Sequence, residues 1–167
     1  MRMTERTLVL LRHAKADRPA GVSDEQRPLT ARGHADAAAA GAWLARSGLR
    51  PDLVLCSPAK RTRQTWHGIA VALAGSAAPT VRYEPDLYDG GAEDLLALVR
   101  EVGEDVNTVL LIGHNPSVSV LSALLDPDAQ ADSDGLRTSG IAVHRASAWS
   151  GIGRGEAALA AVHTARG

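Results

Sequence analysis

Phenylalanine is missing from this 167-residue chain, and aromatic residues make up only 3% of it. That scarcity excludes a stacking platform for single-stranded nucleic acid. Cysteine occurs once, as Cys56, so no internal disulfide framework can form and the chain suits a reducing compartment. No apolar run approaches the length needed to cross a bilayer. The opening "MRMTERTLVLL" lacks the longer apolar stretch and small-residue cleavage site of a secretory signal. An excess of either charge is lacking too: 18 Lys and Arg against 19 Asp and Glu leave a net charge of −1. No global field therefore favours nucleic acid or an anionic membrane. These absences predict a cytoplasmic protein with neither kind of partner.

Alanine and arginine are abundant instead, at 30 and 16 residues, against two lysines. This reads first as compositional bias, so an arginine becomes a functional signal only where its position singles it out. The length suits one domain with a substantial core, taken as residues 1–167, and no repeat or linker divides it.

"TLVLLRH" (7–13) is a continuous apolar run of strand length, the pattern of a strand covered on both faces. "LTARGHADAAAAGAWLARSG" predicts a helix capped by Thr30 and stopped by Gly48. "DLVLCS" (52–57) is a second buried strand. The helix after it opens with Ser57 as cap and Pro58 at its first position. "TVRYE" (80–84) is a shorter third strand, followed by the amphipathic "AEDLLALVREVG". "TVLLIG" (108–113) is a fourth buried strand, and the next helix takes Asn115 as cap and Pro116 as first residue. This alternation predicts an α/β fold, a single-domain three-layer sandwich whose mostly parallel sheet carries helices on both faces. Near the C-terminus "GIAVHRA" (140–146) and "EAALAAVHTA" (156–165) read as paired antiparallel strands at the sheet edge, after an exposed acidic loop over 125–140.

Ligands of open parallel sheets bind beyond the carboxyl ends of the strands. Arg12 and His13 end the first strand, Ser57 follows the second with Arg61 close behind, Asp86 follows the third, and His114 ends the fourth. Two histidines, two arginines and a carboxylate should share one rim. Arginines offer fixed forks to phosphate oxygens, helix N-termini add N–H groups, and a histidine among them can act as nucleophile. The pattern suits a phosphoryl group.

"LRHAKAD", "RPLTARG" (27–33), "SPAKRTRQT" (57–65) and "LLIGHNP" (110–116) occur in the order seen in the histidine phosphatase superfamily, the phosphoglycerate mutase-like proteins. They most resemble its small SixA-type phosphohistidine phosphatase branch, and the likeness covers nearly the whole chain. The resemblance implies His13 as phosphate acceptor, Arg12 as its clamping neighbour, and Arg61 and His114 as the second arginine and histidine. It places the proton donor at Asp86, in "PDLYDG", and implies a phosphatase without cofactor or metal. Ala14 stands where the family's Arg-His-Gly motif has glycine, a methyl group that could crowd the phosphate.

Blander readings stand beside these. Arg61 is flanked by Lys60 and Arg63 in an arginine-rich chain, and Asp86 lies near Glu84 and Asp89 in an acidic loop. His34, His67, His144 and His163 fit helix or strand patterns and read as structural, while Arg27 and Asp17 could border the phosphate site or face solvent. A zinc site would need a third ligand at recognisable spacing, and two arginines beside His13 and His114 would repel a cation. In "CSPAKR", Cys56 and Arg61 stand one residue closer than a cysteine phosphatase loop requires, without its glycines, so Cys56 reads as a buried strand residue. The expected substrate is phosphohistidine on a phosphotransfer protein. A small phosphorylated metabolite and a non-catalytic phosphate-binding module are the alternatives.

Overall fold

Leu8, Val9, Leu10 and Leu11 follow one another with no polar residue between them, leaving β1 (Arg6–Arg12) no face for water. The computed structural model, which describes residues 5–75, 77–129 and 135–167, accordingly puts β1 inside a six-stranded sheet. Its order is β3-β2-β4-β1-β5-β6, with β2 spanning Leu53–Cys56, β3 Thr80–Tyr83, β4 Thr108–Gly113, β5 Gly140–Ala146 and β6 Ala158–Thr164. The first four strands are mutually parallel; β5 runs antiparallel to β1, and β6 antiparallel to β5. The expected mostly parallel sheet with an antiparallel C-terminal edge is what forms.

Successive strand residues point to opposite faces and build two cores. Leu8, Leu10, Leu55, Val109 and Leu111 pack with α4 (Ala92–Arg100), α5 (Ser117–Leu125) and Trp149. Val9, Leu11, Val54, Leu110 and Ile112 pack with α1 (Ala31–Arg46) and α2 (Lys60–Ala72). The alanine content has a physical use here. A β-carbon on Gly41 would stand 2.8 Å from the Ile69 Cα, and one on Gly68 would stand 2.9 Å from the Ala37 Cβ. Only small residues allow α1 and α2 to approach this closely.

Local signals placed most boundaries. Thr30 Oγ1 accepts from the Gly33 N–H and caps α1, and Gly48 takes a positive φ just past its end. Two helices start later than predicted. α2 begins at Lys60 rather than behind Ser57, whose hydroxyl accepts from the Ala59 N–H and also meets His114; α5 begins at Ser117 rather than Pro116, with the Asn115 amide donating to the Leu136 carbonyl. A short helix, α3 (Asp86–Asp89), forms where only an acidic loop was read. Of the loop expected over 125–140, residues 130–134 lie outside the described residues, and Leu136 packs against the core.

The segment after β1 doubles back on the start of α1: the Lys15 carbonyl accepts from the Thr30 N–H, and a β-carbon on Gly33 would overlap that carbonyl oxygen. Gly33→Ala should therefore destabilise the protein by about 1–3 kcal/mol in urea unfolding. It should also disturb whatever Arg12 and His13 do. Unchanged unfolding would mean that the loop is not pinned here.

Candidate active site

Strand register brings the predicted residues together. Arg12 pairs with Gly113 and Cys56 with Ile112, so His13, Ser57 and His114 leave three adjacent strands side by side. The His13 N–H donates to the Gly113 carbonyl and the Ser57 N–H to the Ile112 carbonyl, which extends the ladders by one residue. The rings of His13 and His114 lie 5.2 Å apart. Ser139, with a φ of +57°, directs its N–H at both the Arg12 and His13 carbonyls and fixes the end of β1.

His13 is buried, and its Nδ1 lies 2.7 Å from the Ala14 carbonyl oxygen. A carbonyl only accepts, so Nδ1 carries the proton and Nε2 keeps its lone pair. Burial pushes the His13 pKa down to about 3; the bond to Ala14 opposes this, and His114, Arg61 and Arg12 add to it. His114 falls to about 4, through burial first and the Arg61 charge second. Its Nε2 meets the Ser57 hydroxyl at 2.8 Å. Burial also lowers Arg12. Ala14 does not crowd this site: its N–H donates to Thr65 Oγ1, and its methyl packs with Leu29 and Ala37.

Arg61 is buried at the start of α2. Its Nη1 donates to the Asp24 carbonyl (2.6 Å) and its Nη2 to the Asp24 carboxylate (3.1 Å). Arg12 Nη1 donates to the Leu136 carbonyl, which also accepts from Asn115 Nδ2. Among the described residues, four buried side-chain polar atoms lack a partner, and three are on this rim: Arg12 Nε, Arg61 Nε and His114 Nδ1. Buried groups without a partner cost about 1–3 kcal/mol each. Three on cationic or imidazole side chains mark a place for an oxyanion.

Asp86 opens α3 just beyond the carboxyl end of β3, exposed, with no hydrogen bond or ion pair from its side chain. Its neighbour Tyr88 reaches inward, its ring edge-on to His114 at 5.6 Å and its hydroxyl donating to Asp24. Asp24, Tyr88, Leu136 and Ser139 were not singled out from the sequence. Asp24 was the most findable, since it lies just ahead of "RPLTARG" and bonds to Arg27. Arg27 also donates to the Asp17 carbonyl, and it belongs to the loop that closes on Arg61.

His144, His163 and Cys56 are engaged in other contacts. His144 is buried between Ser122 and the Ala157 carbonyl, and His163 stacks on Trp43. The Cys56 thiol is buried and pushed up to about 12, which makes it a poor nucleophile. Among the described residues, no group of three His, Cys, Asp or Glu side chains is placed to hold a metal ion. No described helix is long and apolar enough to cross a membrane.

Unfolded imidazoles take a proton near 6.5, whereas the folded His13 and His114 wait until about 3 and 4. Their contribution to stability is therefore present above pH 6.5 and is lost as pH falls from there toward 3. Ring-nitrogen NMR of the phosphate-free protein should find His13 neutral, with its proton on Nδ1, at pH 5.5. A cationic ring at that pH would contradict the burial argument.

The histidine phosphatase superfamily (branch 1) family model matches residues 8–106. The Mycobacterium tuberculosis protein Rv1276c, itself uncharacterized, is 38% identical over 164 residues, 93% of this chain and all of its own. Among solved structures, a Nakamurella multipartitia protein assigned to the SixA phosphohistidine phosphatases superposes with a TM-score of 0.83 at 36% identity, covering 96% of both chains. The protein histidine phosphatase SixA complexed with tungstate does so at 0.75 and 27% identity, covering 95% of this chain and 96% of its own. The chain belongs to the histidine phosphatase superfamily, branch 1, and is a phosphatase of the SixA type.

Proposed function

We propose that this phosphatase works without a metal, through a phosphohistidine formed on His13, and removes phosphate from phosphohistidine carried by a protein. The observation that carries the reading is the set of three buried donors without partners around the His13 ring. A phosphoryl group seated there would accept from Arg12 Nε, Arg61 Nε and His114 Nδ1, with Ser57 donating to His114 Nε2 so that Nδ1 bears the hydrogen. A solved SixA structure, similar to this chain, holds tungstate, another tetrahedral oxyanion.

In the first half-reaction the Nε2 lone pair of His13 attacks phosphorus in line. An N–P bond forms, the bond to the leaving group breaks, and the leaving group departs with a proton supplied by Asp86 or already present. Nδ1 keeps its hydrogen on the Ala14 carbonyl, so the positive charge that develops on the ring is spread toward that oxygen. The arginines hold the equatorial oxygens, where charge collects. In the second half-reaction water attacks phosphorus, gives up a proton, and releases phosphate and the free imidazole.

β4 passes through a tight turn directly into α5, β2 does the same into α2, and α3 is a single turn. These short connections leave their part of the rim open, while the longer 13–30 segment closes on Arg61 through Asp24, itself half exposed; this favours a phosphate displayed on a protein surface. A phosphohistidine leaves as imidazole, a good leaving group once protonated, so the exposed and unpartnered Asp86 would matter little to it. With its single cysteine, and no membrane-spanning helix among the described residues, the chain is proposed to act in the cytoplasm as one domain over 1–167.

Phosphate release from a phosphohistidine-bearing phosphotransfer protein and from p-nitrophenyl phosphate, with chelator present, tests this reading. The phosphoprotein should be strongly preferred, and His13→Ala should reduce both rates to background. Preference for the small ester would move the substrate to metabolites, and no activity on either would leave a phosphate-binding module. Asp86→Asn should slow alkyl phosphate hydrolysis by about 10²-fold while barely changing phosphohistidine hydrolysis. Equal losses on both would remove the leaving-group argument.

A further inference from the structure

Asp24 lies between β1 and α1, outside the motifs that carry the family resemblance, yet it ties three parts of the rim together. Its carbonyl and Oδ2 accept from Arg61, Oδ2 also accepts from the Tyr88 hydroxyl at 2.6 Å, and Oδ1 accepts from Arg27 Nη1 at 3.0 Å. These bonds, that from Tyr88 foremost, hold its carboxyl well below the usual carboxylate range, so it is ionised at any working pH. Half of the side chain, 52%, stays exposed, so the negative charge stands at the mouth of the site.

The largest charge effects on His114 come from the Arg61 guanidinium, the Asp24 carboxylate, and the guanidinium groups of Arg12 and Arg27. With both histidines neutral they leave two positive charges, which is what one phosphoryl dianion neutralises. Glu25, the next residue in the same turn, is exposed and adds negative charge further out. A ligand with a carboxylate beside its phosphate would bring a third negative charge toward the half-exposed Asp24 carboxylate, beyond the two that these groups neutralise.

Resting on the phosphatase reading above, we propose that Asp24 is a specificity-determining residue that excludes phosphate compounds bearing a second anion next to the phosphoryl group. Substrates whose leaving group is neutral or cationic are admitted. An imidazolium leaving from phosphohistidine is attracted by the same carboxylate that repels an acidic metabolite. At a half-exposed mouth an unscreened pair of like charges is worth roughly a five- to ten-fold difference in affinity.

A purely structural role, in which Asp24 only props Arg61, would weaken every phosphate ligand alike, so a ratio separates the two. Calorimetric titration of the full chain with ethyl phosphate and with 2-phosphoglycolate compares two-carbon esters that differ by one carboxylate. The wild type should bind ethyl phosphate at least about five-fold more tightly, and raised salt should shrink that gap. Asp24→Asn should narrow the ratio by about five-fold whatever it does to the absolute affinities, while Asp24→Glu, which keeps the charge, should retain it. An unchanged ratio in Asp24→Asn, or loss of both ligands there, would make Asp24 a prop and overturn the proposal. Equal affinities in the wild type would overturn it as well. If the wild type bound neither ester, the phosphatase reading itself would fall, and this inference with it.

Discussion

His13 faces His114 because β1 and β4 run parallel in a single register, Arg12 opposite Gly113. Side-chain period fixes that register: a slip by one residue would turn Leu8 and Leu10 into the core meant for Val9 and Leu11, and would exchange the faces of Leu110 and Leu111. Both faces are covered by helices, so neither accepts a polar side chain without cost. The geometry of the site is thus an extension of the packing of the sheet. What the chain adds locally is a stop, made by the Ser139 N–H on two successive carbonyls and by the Lys15 carbonyl folded onto the start of α1.

Charge is the second constraint. Burying guanidinium groups at the end of a sheet is costly unless something answers them. The answers here are the carbonyl oxygens of Leu136 and Asp24 and the Asp24 carboxylate, while the two histidines are kept uncharged by burial and by the arginines themselves. The only carboxylate bonded directly to Arg61 among the described residues is Asp24. In the proposed reaction an incoming phosphoryl dianion would neutralise this positive charge and make a charged imidazole tolerable when the reaction needs one. The proposed nucleophile, His13, is therefore neutral before substrate arrives, with its Nδ1 hydrogen on a backbone carbonyl and its Nε2 lone pair free.

Most of this was legible in the sequence where one residue carries one signal. The four parallel strands were found nearly to the residue, because continuous aliphatic runs have few other uses, and the strand-end rule then put Arg12, His13, Arg61 and His114 on one rim. Signals with two possible uses misled. Ser57 and Asn115 read only as helix caps, but the Ser57 hydroxyl meets His114 as well as accepting from the Ala59 N–H, and the Asn115 amide donates to the Leu136 carbonyl. Backbone groups such as that carbonyl leave no mark in a sequence. Asp24 had only its place ahead of "RPLTARG" to mark it and Tyr88 had nothing: an acidic loop residue and a lone tyrosine are ordinary, and only the fold shows that they meet each other beside Arg61.

The central claim is that His13 takes the phosphoryl group on Nε2. Rapid quenching of the enzyme during turnover, followed by peptide mass spectrometry under alkaline conditions and phosphorus NMR, tests it directly. The account predicts an acid-labile phosphoryl group on His13, bonded through Nε2, because Nδ1 is committed to the Ala14 carbonyl. Phosphate on His114, linkage through Nδ1 of His13, or steady turnover with no phosphoenzyme would contradict it.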